Sequence, residues 1–150
     1  MSRNWMNENR ANGFCYACKS KPIRGGSSWC EKHWLTQVAW RAGLRGLGNW
    51  KRVKDLLVRQ NYVCPYTGKR LVIGRNASLD HIKPRALFPH LVADIRNMEW
   101  VDEDVNRAKR TMSKNGFIRL CKQIYEYTSN GNQGGSQRHQ TAPDFRRVQA

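Results

Sequence analysis

An Asp-His pair and two later asparagines are the residues of this chain whose types and spacing favour hydrolytic chemistry. Asp80 and His81 are adjacent, and Asn97 and Asn106 follow, nine residues apart. A neutral imidazole near pH 7 accepts a proton from water, so His81 is a candidate general base. Asp80 supplies a hard anionic oxygen and Asn106 a neutral one, which favours Mg²⁺ or Mn²⁺. Asn97 is placed to orient His81 through a hydrogen bond.

Basic side chains are abundant along the chain. Its 150 residues include 27 Lys and Arg against 11 Asp and Glu, which gives a net charge of +16. This excess favours a polyanionic partner such as DNA or RNA, because release of counterions drives such binding. Small ribosomal and chromatin proteins share this composition, so charge does not by itself identify an enzyme. The cations considered for phosphate contact are Lys51, Arg52, Lys54, Arg59, Arg107, Lys109 and Arg110.

A second set of candidate ligands lies near the N-terminus. Cys15-x2-Cys18 is followed after eleven residues by Cys30-x2-His33. Structural zinc sites have four tetrahedral Cys or His ligands, and two short-spaced pairs joined by a turn provide that geometry. We expect the glycine pair at 25–26 to let the connecting hairpin fold back. Because protein groups fill all four positions, the predicted Zn²⁺ is structural rather than catalytic.

The cysteine count also bears on the cellular compartment. An odd total of five cysteines argues against a disulfide framework and favours a reducing compartment. Cys64 and Cys121 are too few for a second four-ligand zinc site. The chain has neither a secretion signal nor a stretch long enough to span a bilayer. We therefore expect a soluble cytoplasmic protein of a bacterium or phage-infected host, with no membrane partner.

The elements that must position these residues are read from hydrophobic periodicity and turn residues. The predicted elements are helices over 34–60 with a break near Gly46–Gly48, strands over 77–82 and 98–101, and helices over 102–112 and 114–128. Asp102 is the expected start of its helix, since Asp favours helix N-termini. That helix would carry Asn106, Lys109 and Arg110 on one face. The basic side of the helix over 50–60 has two interpretations: it is either an ordinary solvated face or a surface that contacts phosphates.

Three segments in this order resemble the HNH endonuclease family. They are Ser78-Leu-Asp-His-Ile-Lys-Pro84, Asn97-Met-Glu-Trp-Val101 and Val105-Asn-Arg-Ala-Lys109. The resemblance covers roughly residues 62–112 and is nearest to intron-associated phage homing endonucleases. It implies a ββα-metal core in which Asp80 and Asn106 hold the catalytic Mg²⁺ or Mn²⁺, while His81 activates water and Asn97 holds His81. Many relatives have a second Cys pair, but Thr67 stands where the partner of Cys64 would be.

The fold that follows from the resemblance is α+β, with an HNH core, an N-terminal zinc module and flanking helices. The expected segments are a mobile arm over 1–13, a zinc-binding module over 14–34, a basic helical linker over 35–61, a nuclease domain with a C-terminal helix over 62–128, and a disordered basic tail over 129–150. No heptad seam is visible, which favours a monomer.

The resemblance implies a site-specific or nicking, homing-type endonuclease that acts on double-stranded DNA. Two alternatives stay open. One is a non-catalytic, zinc-containing nucleic-acid-binding protein on the same scaffold. The other is an HNH nuclease that serves restriction or phage packaging.

Overall fold

A computed structural model describes residues 2–23 and 27–131 of the chain. The helices and strands in chain order are α1 (Arg3–Ala11), α2 (Glu31–Arg41), α3 (Asn49–Arg59), β1 (Ala77–His81), β2 (Met98–Asp102), α4 (Glu103–Lys109) and α5 (Lys114–Gly131). Short 3₁₀ turns cover Pro89–Leu91 and Ile95–Asn97. The fold is therefore α+β as predicted, and the predicted break between the first two long helices is confirmed.

The two strands form an antiparallel sheet, and α4 follows β2 directly. The register pairs Ala77 with Asp102 and His81 with Met98. Asp102 ends β2, and its carboxylate accepts a hydrogen bond from the Asp104 backbone N–H at 3.1 Å, so it also caps α4. Helix α4 packs against both strands. Strand, loop, strand and helix thus form one ββα unit.

Trp100 is fully buried and connects the sheet to the preceding helices. Its indole N–H donates to the Val53 carbonyl of α3 at 2.7 Å. Its backbone N–H donates to the Gln60 side-chain oxygen at 2.7 Å, and its carbonyl accepts from the Gln60 amide at 2.9 Å. The Trp100 ring also stacks on Trp34 of α2, with 5.9 Å between centroids. These contacts hold the packed pair of α2 and α3 against β2.

Several predicted boundaries differ from the structure. Within the segment expected to be a mobile arm, 1–13, Arg3–Ala11 forms the helix α1, which is capped by the Ser2 hydroxyl accepting from the Trp5 N–H. Helix α4 ends at Lys109 rather than near 112, since Arg110 has a positive φ of 49°. Helix α5 continues to residue 131. The glycine pair at 25–26 and the tail over 132–150 lie outside the described residues.

The chain divides into two compact units, Met1–Lys114 and Asn115–Ala150. The first contains α1 to α4 and the sheet. The described part of the second is helical and leaves five large apolar side chains exposed, namely Ile118, Leu120, Ile124, Tyr125 and Tyr127. None of the helices in the described ranges combines the length and the apolar character needed to cross a bilayer.

The role of Trp100 as an anchor can be tested by Trp100→Phe. This change removes the indole donor to the Val53 carbonyl and part of a fully buried ring, so we expect the free energy of unfolding to fall by about 1–3 kcal/mol. Denaturant unfolding followed by circular dichroism measures it. Trp5→Phe, at a half-buried position of α1, is the control, with an expected loss below about 1 kcal/mol. Equal losses in the two variants would contradict the anchoring role.

Candidate metal centre and basic groove

Cys15, Cys18, Cys30 and His33 converge, as their spacing predicts. Their ligand atoms all lie within 4.8 Å of one another. The sulfurs of Cys18 and Cys30 are 3.7 Å apart, and His33 Nδ1 lies between 3.2 and 3.6 Å from the three sulfurs. Tetrahedral zinc, with bonds of about 2.3 Å to sulfur and 2.0–2.1 Å to nitrogen, separates two sulfurs by about 3.8 Å and sulfur from nitrogen by about 3.5 Å. The four groups therefore can bind one zinc ion.

Two local backbone motifs deliver these ligands. Cys15 and Cys18 flank a tight turn, in which the Cys18 N–H donates to the Cys15 carbonyl at 3.2 Å. Cys30 is the N-cap of α2 and has an extended backbone. His33 lies three residues later in the first turn of that helix, so its ring and the Cys30 thiol share one side.

Burial and hydrogen bonding set the protonation of the ligands in the metal-free protein. Burial raises the pKa of the Cys30 thiol to about 11. Hydrogen bonds from Ser20 lower the pKa of Cys18. Burial lowers the pKa of His33, which favours the neutral imidazole that binds metals. Zinc must displace the Cys30 proton on binding, so its affinity decreases as the pH falls.

A separate groove of about 600 Å³ lies beside the ββα unit. Asp80 and His81 of β1 line it, together with Asn106 of α4. Side chains of α2 also line the groove. Three of the four residues considered for hydrolytic chemistry are therefore brought to one groove, and Asn97 is not among its lining residues.

Four arginines line the same groove. They are Arg41, Arg75, Arg85 and Arg110. Only Arg110 is among the predicted phosphate contacts, because the other three come from α2, from the turn before β1 and from the loop after it. No linear spacing relates these segments, so sequence alone does not group them. A polyanion that entered the groove would meet guanidinium groups next to a carboxylate and an imidazole.

His81 is held by the loop that joins the two strands. Its Nε2 donates to the carbonyl oxygen of Val92 at 3.1 Å. A carbonyl oxygen only accepts, so in the neutral ring the proton is on Nε2 and Nδ1 carries the free lone pair. Nδ1 is therefore the atom of His81 that can accept a proton.

Asn97 does not bond to the His81 ring, contrary to the prediction. Its Oδ1 accepts from the Lys83 backbone N–H at 2.9 Å, and its Nδ2 donates to the carbonyls of Lys83 at 3.1 Å and Leu91 at 3.4 Å. These bonds close the loop that also carries Val92. Asn97 thus positions His81 indirectly, by fixing the segment whose carbonyl holds the ring.

Lys109 is fully buried, which is incompatible with the predicted phosphate contact. Its Nζ lies 2.8 Å from Asp80 Oδ2, an ionic contact rather than an aligned hydrogen bond, and donates to the His81 carbonyl at 2.9 Å. The buried Val105 lies four residues earlier on the same side of α4. That helical spacing is the signal that could have indicated the burial of Lys109.

The other predicted phosphate contacts lie on or beside α3 and α4. The exposed ones are Lys51, Arg52, Arg59, Arg107 and Arg110. Lys54 forms an ion pair with Glu31 of α2, and Arg107 forms one with Glu103 at 2.5 Å within α4. Ion pairing reduces the charge that Lys54 and Arg107 offer to a polyanion.

Comparisons with known proteins identify no relative of this chain. No protein-family model matches it, and no curated protein matches it. The HNH resemblance therefore rests on the motif residues Asp80, His81, Asn97 and Asn106 alone.

Zinc binding can be tested by removing one ligand. Cys30→Ala is expected to abolish stoichiometric zinc and to lower the thermal midpoint of unfolding, because three ligands do not complete the tetrahedron. Native mass spectrometry gives the metal content. Cys121→Ala changes an exposed thiol of α5 and is the matched control, with zinc retained. Equal zinc content in the two variants would show that Cys30 is not a ligand.

Proposed function

We propose that this protein is a metal-dependent DNA endonuclease of the HNH type, with the ββα unit as its catalytic core. The observation that carries the proposal is the groove in which Asp80, His81 and Asn106 meet four arginines. Phosphodiester hydrolysis needs a base for water, oxygen ligands for a cation and positive charge for the phosphate. The groove has all three, and the HNH-like order of the motif residues adds support.

The oxygen donors of the groove suit a hard cation such as Mg²⁺ or Mn²⁺. Asn106 Nδ2 donates to Ser78 Oγ at 2.8 Å, which leaves the amide oxygen available. Lys109 contacts one oxygen of the Asp80 carboxylate and leaves the other for a ligand. Asp80 and Asn106 would hold the cation. When bound, a divalent cation stabilises negative charge on the phosphate and on the departing 3′ oxygen.

The side chains of the groove perform the remaining tasks. His81 Nδ1 accepts the proton of the attacking water, while Nε2–H remains on the Val92 carbonyl. Arg75, Arg85 and Arg110 orient the phosphate through charge-assisted hydrogen bonds. The exposed cations of α3 add contacts to the DNA backbone that do not depend on sequence.

Cleavage of supercoiled plasmid tests the proposal. With Mg²⁺ or Mn²⁺ we expect nicked circles, since one active site per monomer cuts one strand. His81→Ala should slow cleavage by about 10²–10⁴-fold through loss of the general base, and a gel shift should show unchanged DNA binding. His90→Ala changes an exposed histidine outside the groove and should cleave normally. DNA binding without cleavage under every divalent cation would overturn the proposal in favour of a non-catalytic nucleic-acid-binding protein.

Gly43, just after α2, sets the position of the loop that holds His81. A Cβ at this residue would lie 2.4 Å from Val92 Cγ1, and φ is +91°. Both the contact and the backbone conformation require glycine. A larger residue forces the Val92 side chain to shift, and the added carbon would also lie 3.4 Å from the Val92 carbonyl oxygen that holds His81.

Gly43→Ala is therefore expected to slow plasmid cleavage by about tenfold or more, because small displacements of a catalytic group are costly. DNA binding should remain, since the cations are untouched. Gly68→Ala is the matched control, because φ is +69° there but nothing lies within 4 Å of the added carbon. Initial cleavage rates compare the two variants. Equal slowing in both would assign the effect to backbone strain and contradict the role of Gly43.

A further inference from the structure

A second cleft of about 410 Å³ lies between one side of α2 and the connection to α3. Trp40 and Lys32 of α2 line it, together with Leu47 and Trp50. It shares no lining residue with the groove of the ββα unit. The proposed hydrolysis therefore leaves this cleft without a role.

The cleft displays apolar surface that a folded chain normally buries. Trp40 is 56% exposed, and Leu47 is fully exposed between Gly46 and Gly48 at the tip of the connection. Exposed apolar side chains that surround a concave site mark a binding surface. A single exposed leucine needs no such explanation, but here Leu47 lies in the same cleft as two tryptophans.

Positive charges accompany both indole rings. The Arg45 guanidinium lies 3.5 Å from the Trp40 ring centroid. The ammonium groups of Lys32 and Lys51 lie 5.9 and 5.7 Å from the Trp50 centroid. No carboxylate lines this cleft among the described residues. Lys32 lines the cleft, and Arg45 and Lys51 lie beside it against the tryptophan rings, so aromatic rings adjoin three cations whose charge complements a polyanion.

We propose that this cleft binds an unpaired nucleic-acid strand, with a base against a tryptophan and the phosphates towards Lys32, Arg45 and Lys51. Aromatic rings and cations along one groove are the means by which proteins bind single strands of any sequence. In a duplex, neighbouring bases cover each base face, so a duplex offers phosphates but no face to stack. The inference rests on nucleic acid as the partner in the proposed function, but not on cleavage.

The test compares a single strand with a duplex. Zinc-loaded protein without added Mg²⁺ or Mn²⁺ is titrated with fluorescent oligothymidine of about ten nucleotides and with a duplex of equal length, and anisotropy is recorded. Trp40→Ala should weaken strand binding at least about fivefold, because stacking on the ring is lost. Its duplex affinity should change less than about twofold, since phosphate contacts dominate duplex binding.

Two control variants separate stacking from charge and from folding. Trp5→Ala changes a tryptophan of α1 outside the cleft, and both affinities should be unchanged. Arg59→Ala removes an exposed cation outside the cleft and should weaken strand and duplex alike. If Trp40→Ala fails to retain zinc, Leu47→Ser at the fully exposed position replaces it, with the same selective loss expected.

Three results would overturn the inference. They are unchanged strand binding in the cleft variant, equal loss for strand and duplex, and tighter binding of an acidic peptide with apolar side chains than of oligothymidine. Plasmid cleavage is measured separately. Absence of cleavage together with Trp40-dependent strand binding would overturn the proposed function and support this inference.

Discussion

The buried indole of Trp100 is the contact on which the arrangement of the first unit depends. It fastens β2 to α3 by hydrogen bonds and to α2 through Trp34. The same α2 begins with the metal-binding pair Cys30 and His33, and Arg41 at its other end lines the groove. One helix thus connects the metal centre, the core and the groove. A zinc ion bound by this cluster would order the start of α2 and so stabilise the part of the groove that α2 lines.

The sheet places two acidic residues opposite one another, and each of them forms an ion pair with a lysine. Asp80 pairs with Glu99 across the two strands, and both are buried. Lys109 lies 2.8 Å from Asp80 and Lys114 lies 2.7 Å from Glu99. A positive charge therefore lies beside each of the two carboxylates, from the fully buried Lys109 and from the partly exposed Lys114.

Local sequence patterns predicted the elements and the Cys₃His cluster, because periodicity and ligand spacing involve residues close in the chain. The break near Gly46–Gly48 is an example. Errors arose where a contact depends on the path of a loop or on burial. The amide of Asn97 closes a loop rather than reaching the His81 ring, which no spacing reveals. The charge of Lys109 predicts a solvent-facing cation, whereas its helical spacing from the buried Val105 indicates burial. The arginines of the groove come from separate segments, so no linear motif marks them.

Asp102 ends a strand and caps a helix with no residue between the two elements. One residue inserted at this junction would turn α4 by about 100° around its axis and carry Asn106 away from Asp80. A deletion there would have the same consequence in the opposite direction. Changes in chain length at this junction would therefore be eliminated among descendants of this protein.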